Sequence, residues 1–397
     1  MDENKNILNN LNNPGSEKSM EALPLIRIII SGGGTGGHIF PAISIADALR
    51  KINNRIEILF VGDEKRMEMG KVPAAGYKII GLPVAGFQRN SYLKNIIVLY
   101  KLFKSILFSR NIIKNFKPDI VVGVGGYASG PVLWTASLSK IPTVIQEQNS
   151  YAGITNKFLA KKAVRIFVAY EGMEKYFPKE RIILNGNPVR QDIQNIESKR
   201  SEAFDYFNLE KDKAVILCLG GSLGAKTINQ SIAANFDRII SGNVQFIWQS
   251  GSHYFADAKK LVENKNYQNI KLYDFISRMD LAYAAADIII SRAGAGSISE
   301  LCIVGKPVIL VPSPNVAEDH QTKNAKALEL KNAALLIKDS EASEKLINIA
   351  LELVNNKERC KMLSENIKKM AIHNSAENIA IEILKIVKTK NYFKKVA

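Results

Sequence analysis

Short runs of apolar, mostly β-branched residues alternate with segments of helical periodicity along most of the chain. This alternation predicts an α/β fold, because parallel strands covered on both faces by crossover helices need no polar side. In the first half the runs are Leu25–Ile30, Ile56–Val61, Ile120–Val124, Thr143–Gln146, Ile166–Ala169 and Ile182–Asn185. In the second half they are Ala214–Leu219, Gln245–Gln249, Ile270–Tyr273, Ile288–Ser291 and Val308–Val311.

The two halves of the chain begin in the same way, with a strand, a glycine-rich loop and a helix. The loop Ser31–His38 precedes a helix predicted at Pro41–Lys51, and the loop Gly220–Ala225 precedes one predicted at Thr227–Ile239. Ligands of doubly wound sheets bind beyond the carboxyl ends of the strands, where these loops lie. We therefore predict two Rossmann-like, doubly wound parallel-sheet domains that face a central cleft.

A polar stretch that ends at residue 213 separates the halves. We predict an N-terminal domain over residues 25–190, a C-terminal domain over 191–375, and a basic amphipathic helix over 376–397. Residues 1–24 are rich in asparagine and lack an apolar core segment, so we predict a disordered extension rather than a secretory signal.

Three cysteines, Cys218, Cys302 and Cys360, are scattered along the 397 residues without the spacing of metal ligands. This pattern predicts reduced thiols and a cytoplasmic location. The sequence has no H-E-x-x-H motif and no D-x-D pair, so it indicates neither a metal site nor a metal cofactor.

The net charge of +16 favours an anionic partner. From Met69 to Pro118 there is no Asp or Glu, while lysines and arginines are interleaved with large apolar residues. The residues alone allow two interpretations: a segment that lies on an anionic membrane surface, or a core helix with a solvated lysine face. A nucleic-acid-binding function would depend on the charge alone, since no motif of a known module is present.

The first glycine loop fits the G-x-G-x-x-G pattern of a dinucleotide site. Its glycines let backbone N–H groups approach phosphate oxygens at a helix N-terminus. An NAD-dependent oxidoreductase is therefore one alternative. The titratable His38 at the end of this loop argues against it, because hydride transfer does not need that group there.

Two further segments could bind phosphate. Ser222 lies in the second glycine loop, and Arg190 could contact the same phosphate in a bidentate way. After the strand that ends at Ser291, small residues at Ala295, Gly296 and Ser297 would expose N–H groups to a diphosphate, and Glu300 could accept hydrogen bonds from ribose hydroxyls. The amide-rich strand end Gln146–Asn149 suits sugar hydroxyls.

Six motifs, in one consistent order, give the chain a close resemblance to the MurG family of peptidoglycan glycosyltransferases. The resemblance runs from about Ile26 to the C-terminal helix and leaves out only the N-terminal extension. The motifs are Gly33–Pro41 (GGTGGHIFP), Gly125–Gly130 (GGYASG), Glu147–Lys157 (EQNSYAGITNK), Gly186–Arg190 (GNPVR), Gly220–Ala225 (GGSLGA) and Ser291–Glu300 (SRAGAGSISE).

The resemblance implies a GT-B fold of glycosyltransferase family 28, with the last helix crossing back to the N-terminal domain. It also implies an inverting hexosyltransferase that moves GlcNAc from UDP-GlcNAc to the C4 hydroxyl of MurNAc in undecaprenyl-diphospho-MurNAc-pentapeptide, which converts lipid I to lipid II without a tightly held metal. Such an enzyme would work at the cytoplasmic face of the inner membrane. The resemblance favours the membrane interpretation of residues 82–117 and suggests other cell-wall synthesis proteins as partners.

Carried over position by position, the family pattern assigns residues to each side of the reaction. On the acceptor side it includes Tyr127, with His38 and Glu147 as the candidates for proton transfer, and the first loop would meet the lipid diphosphate. Residue 146 is often His in the family and residue 320 often Gln, so neither Gln146 nor His320 is transferred. The residues assigned to UDP-GlcNAc are Thr35, Gly36, Gly37, Asn149, Arg190, Ser222, Ile276, Ala295, Gly296, Ser297, Ile298, Ser299, Glu300 and Gln321.

We expect His38 to be the general base, since an inverting transfer needs one base and a histidine titrates near neutral pH. Glu147 is the rival, either directly or by orienting His38. A related glycosyltransferase with another lipid acceptor remains an alternative, because acceptor recognition is spread over several loops.

Overall fold

The structure is a computed structural model that describes residues 25–86, 92–221, 223–264, 267–316 and 319–396. The predicted extension 1–24, Ser222 and part of the acid-free stretch lie outside these residues. The described chain forms two parallel sheets, one for each half of the sequence.

The first sheet has seven strands in the order β3-β2-β1-β4-β5-β6-β7. Its neighbouring strands pair in parallel, with Ile28 opposite Ile58 on one side and Ile120 on the other. The strands are β1 (Ile26–Ser31), β2 (Ile56–Asp63), β3 (Lys78–Leu82), β4 (Ile120–Gly123), β5 (Thr143–Glu147), β6 (Arg165–Val168) and β7 (Ile182–Leu184).

The second sheet has six parallel strands in the order β10-β9-β8-β11-β12-β13. Two predictions are confirmed: the α/β class and the pair of Rossmann-like sheets. The strands are β8 (Ala214–Leu219), β9 (Val244–Gln249), β10 (Ile270–Tyr273), β11 (Ile288–Ser291), β12 (Val308–Leu310) and β13 (Leu335–Leu336).

Helices cover both faces of each sheet, so the strands are buried on two sides and the core lies in four layers. In the first half they are α1 (Gly36–Ile52), α2 (Glu68–Ala74), α3 (Tyr92–Phe116), α4 (Ser129–Leu138) and α5 (Ile154–Ala160). In the second half they are α6 (Arg200–Phe207), α7 (Lys226–Ala234), α8 (Phe236–Ser241), α9 (Phe255–Asn264), α10 (Met279–Ala285), α11 (Ala295–Val304), α12 (His320–Glu329), α13 (Ala342–Asn355), α14 (Lys357–Lys368) and α15 (Ser375–Val396).

Strand order reverses between β1 and β4 in the first sheet and between β8 and β11 in the second. The glycine-rich segments that follow these four strands therefore leave the sheets at the switch points where such folds bind ligands. Contacts join the two halves at this edge, including a hydrogen bond from Ser150 Oγ to Asn324 Oδ1 of 2.9 Å.

The last helix packs on the first half of the chain. Ile379, Ile383 and Val387 of α15 are fully buried in the same cluster as Ile45 and Leu49 of α1. The amide of Asn185 also donates to the carbonyl of Ser375 at 2.7 Å. The chain thus crosses back after its second sheet.

The first helix differs from the prediction. It begins at Gly36 rather than at Pro41, with Thr35 as its N-cap in extended geometry. Pro41 lies inside the helix, where its missing N–H removes one backbone hydrogen bond but its ring is buried in the core. The consequence is that Gly36, Gly37 and His38 occupy the first turn of α1.

Candidate active site

The first glycine loop is held in place by hydrogen bonds to a buried carboxylate. Glu68 of α2 is 1% exposed and accepts the N–H of Gly34 at 3.1 Å and the N–H of Asp63 at 2.9 Å. The predicted phosphate site in this loop therefore does not include the Gly34 amide, because that N–H already donates to the Glu68 carboxylate. The amides of Gly36 and Gly37 begin α1 and have no intrahelical acceptor, whereas the N–H of His38 donates to the Thr35 carbonyl at 3.1 Å, so Gly36 and Gly37 are the amides left for an external anion.

His38 lies on the first turn of α1, half-buried between two glycine loops. Its Nδ1 is 3.0 Å from the carbonyl oxygen of Gly33 and 3.2 Å from Thr35 Oγ1. A carbonyl can only accept, so Nδ1 carries the proton and Nε2 is the unprotonated nitrogen of the neutral ring. A Cβ at Gly125 would lie 2.9 Å from Nε2, which explains the glycine at that position.

Burial lowers the pKa of His38 below its usual value, against the opposing effect of Glu147, the Gly33 carbonyl and Glu68. Desolvation disfavours the imidazolium form of the ring. At neutral pH the side chain is therefore held neutral and able to accept a proton at Nε2.

Glu147 ends β5 with its carboxylate buried and fully hydrogen-bonded. One oxygen accepts the backbone N–H and the side-chain amide of Asn149, at 3.1 and 3.4 Å. The other accepts the N–H of Gly153 and the amide of Asn156, at 3.1 and 2.9 Å. With four donors on two oxygens, Glu147 organises the loop that carries Asn149, and its negative charge stabilises a protonated His38.

A network of hydrogen-bonded amide side chains connects the two sheets. Gln146 donates to Asn187 Oδ1 at 2.9 Å, and Asn187 donates in turn to Gln148 O at 3.1 Å and to Ser299 Oγ at 3.0 Å. Gln148 also donates to the carbonyl of Val124 at 2.7 Å. These amides fix the end of β5 against α11 of the other half.

Arg190 and Glu300 form an ion pair where the two halves meet. Arg190 Nε lies 3.0 Å from Glu300 Oε1, and the hydroxyl of Tyr283 donates to Glu300 Oε2 at 3.0 Å. Tyr283 is 1% exposed, and its pKa is raised well above the usual value, first by burial and then by Glu300. The carboxylate predicted to hold ribose is thus oriented by two neighbours, one of them the arginine predicted to meet the diphosphate.

The N-terminus of α11 has open space in front of it. Gly294 is its N-cap, and a Cβ at Gly296 would have no atom within 4 Å. The carbonyl of Ala295 accepts the hydroxyl of Ser299 at 3.1 Å. The amides of residues 295–297 thus lie in the first turn with no acidic side chain among them, which suits an anion. Ile298 is buried and anchors the helix in the core.

Two other predicted donor contacts are partly engaged within the protein. The N–H of Ile276 donates to Gln249 Oε1 at 3.0 Å, so its carbonyl is the backbone group left for a base. Gln321, on the first turn of α12, accepts the N–H of Ser313 at 2.9 Å. On the acceptor side, Tyr127 is exposed with its ring against the backbone of Gly86. The predicted contact of Ser222 lies outside the described residues.

Sequence reasoning missed three residues that shape this site: Glu68, Asn187 as an inter-sheet bridge, and Tyr283. Glu68 is a single acidic residue in a short helix, and Tyr283 lies in an alanine-rich one. Neither position has a local sequence pattern that indicates a role in the site. Gly33 and Gly62 gave an indirect indication, since both leave room for Glu68. Within the described residues, no three His, Cys, Asp or Glu side chains cluster as metal ligands.

The niche for Glu68 predicts a difference between two neighbouring glycines. A Cβ at Gly33, where φ is +151°, would lie 2.0 Å from Glu68 Oε1, whereas one at Gly34, where φ is +89°, would meet no atom within 4 Å. We expect Gly33→Ala to lower the free energy of unfolding by about 3 kcal/mol, from strain and overpacking together. Gly34→Ala, with strain alone, should cost about 1 kcal/mol. Urea denaturation measures both, and equal losses would contradict the packing described.

Comparisons with known proteins agree with this geometry. The glycosyltransferase family 28 N-terminal domain matches residues 28–168, and the C-terminal domain of the same family matches residues 215–380. A protein of Parabacteroides distasonis is 58% identical over 364 residues, which cover 92% of this chain and 99% of that protein. A protein of Phocaeicola vulgatus is 59% identical, over 91% of this chain and 96% of that protein.

Both relatives are named UDP-N-acetylglucosamine–N-acetylmuramyl-(pentapeptide) pyrophosphoryl-undecaprenol N-acetylglucosamine transferase. Among solved structures, MurG of Acinetobacter baumannii superposes with a TM-score of 0.71 at 27% identity, covering 91% of this chain and 99% of that one. The resemblance noted in the sequence is confirmed, and with it the GT-B arrangement. The chain belongs to the MurG family of glycosyltransferase family 28.

Proposed function

We propose that the protein transfers GlcNAc from UDP-GlcNAc to the C4 hydroxyl of MurNAc in undecaprenyl-diphospho-MurNAc-pentapeptide, converting lipid I to lipid II in peptidoglycan synthesis. The observation that carries the proposal is the position of His38: its Nδ1 bonds the Gly33 carbonyl, which leaves Nε2 as the acceptor of the neutral ring at the edge where both sheets present their switch-point loops. The close relatives, named as N-acetylglucosamine transferases of this kind, support the choice of donor and acceptor.

In the proposed step the C4 hydroxyl oxygen attacks the anomeric carbon of GlcNAc from the face opposite UDP. The bond from that carbon to the diphosphate oxygen breaks, and UDP leaves with the electron pair. The hydroxyl proton passes to His38 Nε2, which is consistent with a direct, inverting displacement. The imidazolium that forms is stabilised by the negative charge of Glu147.

The donor would bind on the second sheet. The first-turn amides of α11 would meet its phosphates together with Arg190, and Glu300 would accept the ribose hydroxyls. Thr35, Gly36 and Gly37 at the start of α1, Asn149, Ser222, Ile276 and Gln321 complete the proposed donor set. Tyr127 is assigned to the acceptor side, where its exposed ring is accessible.

Radiolabel transfer from UDP-GlcNAc to a lipid I analogue tests the function directly. We expect labelled disaccharide lipid and release of UDP. Displacement of bound UDP by UDP-GlcNAc, with no binding of NAD(H), separates this proposal from a Rossmann oxidoreductase. Transfer to another lipid-linked sugar, with none to the lipid I analogue, would support a related glycosyltransferase instead and contradict the acceptor assignment.

The exposed face of α3 supports docking of the enzyme on an anionic membrane surface. Among the described side chains of this helix, eight large apolar ones are exposed: Ile96, Ile97, Leu99, Tyr100, Leu102, Phe103, Leu107 and Phe108. They lie among Lys101, Lys104, Arg110 and Lys114, whereas Val98, Ile112 and Ile113 point into the protein. A core helix with a solvated face would not expose so much apolar surface.

No helix in the described part of the chain is long and apolar enough to cross a bilayer. We propose peripheral attachment through α3 at the cytoplasmic side of the inner membrane, where a polyprenyl-linked acceptor would be reached. Basic residues would add electrostatic attraction to the insertion of apolar ones.

A vesicle experiment tests this attachment. We expect Ile97→Ser with Phe103→Ser to lower co-sedimentation with phosphatidylglycerol-containing vesicles at least about tenfold, because each residue removes a buried apolar contact worth over 1 kcal/mol. Leu330→Ser, which removes an 84% exposed leucine of the other half, is the matched control and should bind as the wild type does. Wild-type binding that does not depend on anionic lipid or salt would contradict the proposal.

A further inference from the structure

A single peptide group joins Glu68 to His38. The N–H of Gly34 donates to the Glu68 carboxylate at 3.1 Å, and the carbonyl of Gly33, in the same peptide unit, accepts from His38 Nδ1 at 3.0 Å. Two hydrogen bonds to one peptide group therefore connect the Glu68 carboxylate with the His38 imidazole. The Glu68 side chain lies behind the loop, with His38 in front of it.

The niche around Glu68 is built for a carboxylate. The side chain is 1% exposed, and its carboxylate accepts hydrogen bonds from the backbone amides of Gly34 and Asp63. No lysine or arginine of the described residues forms an ion pair with it. Gly62 and Gly33 provide the room, since a Cβ at either would lie within 2.7 Å of a Glu68 atom. Burying an anion without a cation is costly, so a purely structural loop anchor would not need the charge.

We propose that Glu68 is a positioning residue for the transfer reaction, which acts on His38 through the Gly33–Gly34 peptide. The carboxylate polarises the peptide N–H, and the more negative carbonyl holds His38 with its proton on Nδ1. When Nε2 takes up the hydroxyl proton, the same carbonyl stabilises the imidazolium. The arrangement is that of a histidine oriented by a carboxylate, with one peptide group inserted between them.

The proposal rests on the proposed function, in which His38 is the base. The effect of Glu68 on the His38 titration can nevertheless be measured without turnover. Glu147 on β5, Glu68 on α2 and His320 on α12 are the titratable groups that act on His38. The chain has four histidines, so ring-labelled protein gives a simple NMR titration, in which His38→Gln assigns the resonance. His253 and His373 serve as internal references.

We expect Glu68→Gln to move the His38 titration to lower pH, because the carboxylate favours the imidazolium, while His253 and His373 stay unchanged. In the transfer assay kcat should fall roughly tenfold, the lower range for residues that orient a reacting ligand or base, with the KM for UDP-GlcNAc within twofold. Glu68→Asp keeps the charge but withdraws it from Gly34, so its effects should have the same sign and be smaller.

Asp280→Asn is the matched control, since it neutralises a 2% exposed carboxylate that binds Lys199 and Arg278 in the other half. It should leave the His38 titration unchanged. A folded Glu68→Gln protein with an unshifted His38 titration would overturn the proposal; if that variant does not fold, the titration of Glu68→Asp decides in the same way. Full transfer activity in His38→Ala would instead refute the base assignment, which the NMR result does not require.

Discussion

We expect His38→Ala to lower kcat for GlcNAc transfer by about 100- to 10,000-fold, the range that a positioned general base contributes. The variant removes the nitrogen that receives the hydroxyl proton. UDP binding should change less than twofold, because the diphosphate and ribose are assigned to Arg190, Glu300 and the first turn of α11 rather than to His38. Steady-state kinetics and calorimetric titration with UDP measure the two effects separately.

The pH dependence of kcat gives an independent check on the same residue. Burial holds the pKa of His38 below its usual value of about 6.5. Since the base works unprotonated, kcat should fall on acidification with a midpoint below pH 6.5. A profile that loses activity well above pH 6.5, or a His38→Ala enzyme with nearly full kcat, would contradict the assignment.

Glu300→Ala should raise the KM for UDP-GlcNAc by about 10- to 100-fold, because a hydrogen bond to a charged group contributes about 1.5–3 kcal/mol. The carboxylate is already oriented by Arg190 and Tyr283, each at 3.0 Å, so its alignment requires little reorganisation when ribose binds. The kcat for transfer at the anomeric carbon should change less than the KM for UDP-GlcNAc.

A 2′-deoxyribose analogue of UDP-GlcNAc makes this test specific. The wild type should bind the analogue more weakly than UDP-GlcNAc, and Glu300→Ala should lose that preference. Tyr283→Phe keeps the carboxylate but removes one of its supports, so we expect a rise in KM of only about three- to tenfold. An effect of Glu300→Ala confined to kcat would refute the ribose role.

Apolar periodicity predicted most of the fold. Eleven strands were placed within one or two residues of their observed ends, because buried parallel strands are continuous apolar runs. Two edge strands were missed. In β3 lysine and glycine interrupt the run, and β13 has only two residues. The start of α1 differs from the prediction because proline is typical of the first position of a helix, whereas Pro41 lies in the second turn of this one.

The candidate site was predicted less completely than the fold. Loop positions such as Gly33 and Gly296 follow from local sequence, since glycines after a strand mark a close approach of the backbone. The long-range partners of these loops do not follow from local sequence. Glu68 is 34 residues from Gly34, and Arg190 is 110 residues from Glu300, so neither contact leaves a local pattern. The family resemblance supplied roles for residues but not the hydrogen bonds that already occupy Gly34 and Ile276.

The packing of α15 on the first half has a consequence for synthesis on the ribosome. The hydrogen bond between Asn185 and Ser375 joins residues 190 positions apart, and the apolar face that α15 covers belongs to α1 and its neighbours. At roughly 5–20 residues per second, the completed first sheet would wait about 10–40 s for this helix to be made. During that interval the apolar face that α15 covers stays exposed on the nascent chain.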